Sequence, residues 1–268
     1  MKKILSLLVV AVLMLGMMSV SVSATRDLVY TAQYGVATID GVYEDAWDTY
    51  GSEWTQIDLP HSAAGAVSVC SARAKVMHDD ALLYFIVEIT DATIADGNGD
   101  AFEIYFDEDS CADVAYCDVT TQLQMHLNET VTKGTNSLGD VDMIKEYKVG
   151  KSSDGYVLEF SVALMNGIPA AGSTIGLEFM YNDADEAATF LDALRWNADT
   201  ANGDTAPYQA PECFGKLVCA EYVAPAEPEV PADEAPADDT AAPTTADAGI
   251  VVAAVVMAAA AAVVCKKH

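Results

Sequence analysis

Residues 72–109 read ARAKVMHDDALLYFIVEITDATIADGNGDAFEIYFDED, three short strand patterns separated by acidic turns. Across 72–77, Ala74 and Val76 alternate with Arg73 and Lys75, the period-two signature of a half-buried strand. His78, Asp79 and Asp80 break it. Residues 82–90 (LLYFIVEIT) are nearly all apolar and rich in β-branched and aromatic types, which suits a strand in the middle of a sheet. Asp96, Gly97, Asn98, Gly99 and Asp100 follow, all types that tolerate turn backbone angles. In 102–106 (FEIYF), Phe102, Ile104 and Phe106 face one way and Glu103 and Tyr105 the other, because side chains alternate across the pleat. The expected unit is a β-meander.

The same pattern extends in both directions. Upstream, 29–40 read as a strand plus bend, 41–47 as a polar turn into a short helical turn that points Trp47 inward, and 57–59 and 66–71 as weaker strands. Downstream, 119–127 alternate, with Val119, Thr121, Leu123, Met125 and Leu127 on one side. Strands are expected at 145–149, 156–162, 174–182, 193–196 and 214–221, with a turn of helix at 163–168 ended by Pro169. About ten short strands and no long helical period argue an all-β fold, an antiparallel β-sandwich of jelly-roll type.

The ends differ in kind. Lys2 and Lys3 precede an apolar run at 4–18, and 21–24 finish in a small-x-small pattern, so 1–24 are read as a signal peptide. Residues 25–223 are the folding head. Residues 224–246 hold Pro, Ala, Glu, Asp and Thr apart from Val230, a composition that cannot bury enough apolar area to fold and acts as a spacer. Within 247–268, the run 249–265 is unbroken apolar and precedes Lys266 and Lys267. At ~1.5 Å per residue it spans roughly 25 Å as a helix, enough for a hydrophobic anchor with local bilayer thinning.

The formal charge is −28 on 41 acidic and 13 basic residues, and four of the basic ones sit in the two ends. A head this poor in cations cannot neutralise phosphates, which excludes nucleic-acid binding. It permits cation binding. Of the six cysteines, Cys111/Cys117 and Cys213/Cys219 flank short segments that each pair could close as a small ring, and pairing of Cys70 with Cys213 or Cys219 is an equal alternative to the second ring. Connectivity stays open. No nucleophile elbow, HExxH, paired CxxC or phosphate loop occurs, so no catalytic constellation is expected.

Several groups of residues now fall into one order: Tyr34 and Gly35; Ile39, Asp40 and Gly41; Glu44, Asp45, Ala46 and Trp47; Ala74, Lys75 and Val76; Asp79, Leu83, Tyr84, Val87 and Asp91; Asp100, Glu103, Ile104 and Asp107. Gly155, Tyr156, Glu159, Ile175, Gly176, Asn182, Asp183, Trp196 and the run Phe214, Gly215, Lys216, Leu217 continue it. This order resembles the family 9 carbohydrate-binding modules. The resemblance implies a β-sandwich without catalytic residues, a terminal sugar clamped between two aromatic rings, and calcium bound for structure. Tyr208 keeps one ring, while Gly97 stands where the other is expected. Glu103 keeps the place of an acceptor at the sugar rim, and Gln124 stands near the place of a rim arginine. Trp54 or Tyr50, from another loop, is the candidate for the missing ring. Asp96, Asp100 and Asp107 are the expected calcium ligands.

At the far end, Pro243, Thr244, Thr245, Ala246 and Asp247 with the apolar run and basic end look like a sortase signal of Gram-positive bacteria, with Ala242 and Ala246 departing from it. The expected partner there is peptidoglycan if the signal is processed, the membrane if it is retained. The sequence therefore reads as a non-catalytic module on a bacterial cell surface, extracellular and anchored, binding plant or microbial glycan by aromatic stacking and serving carbohydrate catabolism. The alternative is a structural or adhesive surface domain of the same fold that has lost sugar binding.

Overall fold

The computed structural model of the 268-residue chain describes residues 26–61, 70–95, 99–109 and 115–223. The expected signal peptide, spacer, anchor and sorting signal lie outside them, as do Asp96, Gly97 and Cys111. Among the described residues no helix is long and apolar enough to cross a membrane.

Among the described residues thirteen strands follow in order: β1 Val29–Tyr34, β2 Thr55–Ile57, β3 Leu59–Pro60, β4 Ser71–His78, β5 Leu83–Thr90, β6 Ala101–Asp107 and β7 Thr120–His126. Then come β8 Val131–Lys133, β9 Ile144–Lys151, β10 Gly155–Val162, β11 Thr174–Ala184, β12 Phe190–Arg195 and β13 Gly215–Cys219. A four-residue helix, α1 (Ala46–Thr49), stands between β1 and β2. The first layer runs β8-β7-β6-β11-β13, with β12 along the second half of β11 and β3 on β12; the second runs β4-β5-β10-β9, with β2 on β4. β1 joins the layers. Its first four residues pair with β13 and its last two with β4, both parallel, so the sheet system is antiparallel except at this seam.

The meander is not formed. β4 and β5 pair as expected, but β6 crosses to the other layer and pairs with β7 and β11. The reason lies in the aromatic faces. Side by side in one sheet, β5 and β6 would leave their rings to be covered from elsewhere. In opposite layers the rings cover each other: Phe85 meets Phe106 at 6.1 Å between centroids and Phe179 at 6.1 Å, and Phe102 meets Phe160 at 6.1 Å. These rings and the inward Leu, Ile and Val of both layers form one core. Burial of that area is the main favourable contribution to the fold. The expected helical turn at 163–168 is an irregular turn instead, in which the N–H groups of Met165 and Asn166 donate to the Glu108 carboxylate at 2.8 and 2.7 Å.

The outer face of the second layer is covered by α1. Trp47 is fully buried against Met77, Tyr84 and Ile86, as the sequence predicts. Its indole N–H donates to Glu159 Oε1 at 3.0 Å, while Glu159 Oε2 accepts the N–H groups of Asp40 and Gly41 at 3.0 and 2.8 Å. Gly41 has φ of 83°, and a Cβ there would lie 2.7 Å from Gly150 N, so the turn needs glycine. Trp196 is the matching core residue of the first layer, its Nε1 donating to Thr55 Oγ1 at 2.7 Å. Cys213 and Cys219 are buried thiols, not bridged to each other or to Cys70.

Candidate carbohydrate-binding site

The outer face of the first layer is left open, and there β6, β7 and β11 aim polar side chains outward between their apolar inward neighbours. Glu103 on β6 stands opposite Gln124 on β7 and Met180 on β11. Its Oε1 accepts from Gln124 Nε2 and from Asn182 Nδ2, each at 2.6 Å. Its Oε2 accepts from Gln122 Nε2 at 2.7 Å and from the Tyr105 hydroxyl. A carboxylate has about four lone-pair positions, and here all four are taken by donors within the chain. Glu103 is therefore a buried hub rather than the open rim acceptor that the resemblance implies. What reaches the surface is the set of amides it orients. Gly134 lies against this set: a Cβ there would sit 1.9 Å from Gln122 Oε1.

A cavity of about 580 Å³ lies over the amides, lined also by Met180, Ala193, Arg195, Lys133, Phe190 and Tyr208. That volume suits a small ligand such as one or two sugar rings. Tyr208, 41% exposed, lines it on the loop before β13, and the half-buried Tyr116 fixes that loop by donating its hydroxyl to Pro207 O at 2.7 Å. A second exposed ring lines the same cavity. It is Phe190, 53% exposed at the start of β12, with His61 edge-on at 6.2 Å. The only sign of it in the sequence is an aromatic residue shortly after the acidic stretch 183–187.

The other rings named from sequence do not line it. Trp54 stacks on Tyr43 with centroids 5.6 Å apart and carries the Arg73 guanidinium 4.1 Å from its centroid, on the second layer. Tyr50 packs over Gly35. Thus the structure brings Tyr208, Glu103 and Gln124 together, adds Gln122, Asn182 and Phe190, and leaves Trp54 and Tyr50 elsewhere.

Of the expected metal ligands, Asp100 and Asp107 are not brought together. Asp100 and Asp107 flank the length of β6, roughly 20 Å of extended strand, too far to share one ion. Asp107 gathers with Asp109 and Cys117. Asp100 gathers with Asp91 and Asp183, all three buried, with carboxylate oxygens within 4.8 Å of one another. Asp100 accepts the N–H groups of Ala95 and Ala184 at 2.8 and 2.9 Å, and Asp91 accepts the Tyr181 hydroxyl at 2.6 Å. Burial first, and the fields of Asp91 and Asp183 after it, push the Asp100 carboxyl up to about 6 against its two amide hydrogen bonds.

Residues 39–221 match the sequence model of the carbohydrate family 9 binding domain-like proteins. Endo-1,4-beta-xylanase A of Thermotoga maritima is 26% identical over 196 residues, which are 71% of this chain and 18% of the xylanase. Endo-1,4-beta-xylanase A of Thermoanaerobacterium saccharolyticum is 25% identical over 197 residues, 70% of this chain and 16% of that enzyme. The chain thus spans less than a fifth of the length of these relatives. A carbohydrate binding module of family 9 from Caldicellulosiruptor kristjanssonii, solved in complex with glucose, superposes with a TM-score of 0.64 at 26% identity, covering 75% of this chain and all of the module. Its cellotriose complex gives 0.63.

Proposed function

The chain belongs to the carbohydrate family 9 binding domain-like proteins, and on that premise we propose that it is a non-catalytic glycan-binding module whose site is the cavity between Tyr208, Phe190 and the amides around Glu103. The observation that carries the reading is that cavity: two exposed rings beside a cluster of oriented amides on one sheet face. Pyranose rings present a C–H face that packs on an aromatic plane, while their hydroxyl rims need donors and acceptors. Tyr208 and Phe190 offer the first, Gln122, Gln124 and Asn182 the second. The Caldicellulosiruptor kristjanssonii module is solved with glucose and with cellotriose, so a terminal hexose is the ligand to try first. Affinity electrophoresis of the chain through gels containing single polysaccharides, beside Tyr208→Ala, tests it. Retardation that the substitution abolishes supports the reading; no retardation on any glycan favours the surface domain without sugar binding.

Calcium belongs to the same proposal, with its ligands reassigned. Asp91, Asp100 and Asp183 form a buried set of hard oxygen donors, and Asp192 stands opposite Asp183 on β12. Three buried carboxylates repel one another unless a proton or a cation intervenes, which is the chemistry a structural calcium ion meets. The ion would hold the loop before β6 to the end of β11. Display on a Gram-positive surface through 247–268 remains part of the proposal, supported by the signal-like and anchor-like ends. Mass of the mature C-terminal peptide tests it.

A further inference from the structure

One wall of the cavity has more positive charge than a neutral sugar calls for. Arg195, on β12, reaches the cavity with only 1% of its surface exposed. One guanidinium nitrogen donates to Thr200 Oγ1 at 2.7 Å, and its Nε has no hydrogen-bond partner. Taking a guanidinium out of water is costly unless an anion replaces the solvent. Lys75, the other buried basic side chain among the described residues, has that replacement in Asp48 at 2.6 Å. Arg195 has none. Glu178, the carboxylate whose field reaches it, is held by the backbone N–H groups of Trp196, Asn197 and Ala198 at 2.8, 2.9 and 3.2 Å.

The neighbours point the same way. His61 lines the cavity with its Nδ1 unpartnered, and burial, then Arg195, hold the ring below its usual value, so at neutral pH it is an uncharged polar wall. Lys133 adds a second cation, only loosely held by Asp140 at 3.8 Å. The one carboxylate of the lining, Glu103, is closed off by its four donors. In a chain of net charge −28, the cavity lining carries two cations against one saturated anion.

We infer that the cavity takes an acidic saccharide, a hexuronate at a glycan end, with its carboxylate received by the Arg195 guanidinium and its ring beside Tyr208 and Phe190. This rests on the glycan-binding reading and names the ligand class. A planar guanidinium with free N–H groups matches a carboxylate better than a single hydroxyl. Glucose and glucuronate differ only at C6, so the pair isolates the contact, and glucuronamide keeps the shape without the charge.

Calorimetric titration of the full-length chain at pH 7 with these three sugars is the test. Glucuronate should bind about tenfold or more tightly than glucose, and glucuronamide should return to the glucose level. Arg195→Gln should remove the difference. Because a buried substitution can prevent folding, the ligand comparison carries the test on the unmodified protein. Glucose binding as tightly as glucuronate overturns the inference and leaves glycan binding standing. No binding of these sugars or of any polysaccharide overturns both.

Discussion

Glu103 and Gln124 face each other across the β6–β7 pairing, and the Gln124 amide donates to Glu103 Oε1 at 2.6 Å. That contact is one of four, and it turns an acidic residue into the organiser of a neutral recognition surface. Glu103→Ala would strand the Gln122, Gln124 and Asn182 amides and the Tyr105 hydroxyl. Each loses its acceptor, at a combined cost of about 2–4 kcal/mol, since part of the group can rehydrate from the cavity. Calorimetric melting should show a fall of roughly 5–15 °C, with glycan retention lost. A melt unchanged by the substitution would show that the hub does not hold the site.

Tyr208 and Phe190 are the exposed pair, so their removal should touch binding and spare the fold. Tyr208→Ala is expected to weaken glycan binding roughly tenfold, about 1–2 kcal/mol, with Tyr208→Phe close to the parent. Phe190→Ala should behave alike. Titration gives the affinities, and unchanged melting temperatures confirm that folding is intact. If both alanine variants bind as the parent does, stacking on these rings is not the mode of recognition.

Gly134 provides a subtler perturbation. Its backbone lies outside the left-handed region, so alanine brings no torsional strain there, but its Cβ would meet Gln122 Oε1 at 1.9 Å. The side chain must move, taking its Nε2 off Glu103 Oε2, now at 2.7 Å. Gly134→Ala should therefore lower glycan affinity severalfold while melting within a few degrees of the parent. Equal affinity would show that Gln122 makes no contribution to the site.

The acidic cluster carries a pH signature. Folded Asp100, pushed up to about 6 from an ordinary 3.8, binds its proton more tightly than the unfolded chain does. Its contribution to stability is thus full below pH 4 and is lost as pH rises from about 4 to about 6, an effect of about 3 kcal/mol. A cation between Asp91, Asp100 and Asp183 would offset that loss. Millimolar calcium at pH 7 should raise the melting temperature by about 5–10 °C, and a chelator should reverse it. The rise should shrink towards pH 4, where protonation competes. Identical melts with calcium and with chelator at pH 7 would exclude a calcium site at these aspartates.

Much of this protein is determined by the order of residues alone. Alternation put Phe102, Ile104 and Phe106 on one side of a strand and Glu103 and Tyr105 on the other, because the pleat sends neighbours to opposite faces whatever lies beyond them. Trp47 was legible as core from the polar turn that leads into its short helical turn, and Tyr208 from the ring position that the family resemblance keeps. Partnership was not legible. Whether β6 lies beside β5 or across from it depends on which arrangement lets Phe85, Phe106, Phe160 and Phe179 bury one another, a property of the whole chain. That choice brings Gln122 and Asn182 to Glu103, Phe190 to the cavity of Tyr208, and Asp91 and Asp183 to Asp100. Asp107 is kept from Asp100 by the extended length of β6 itself, in whichever layer that strand lies. Local geometry sets which way a side chain points, and only the packing of distant segments sets what it meets.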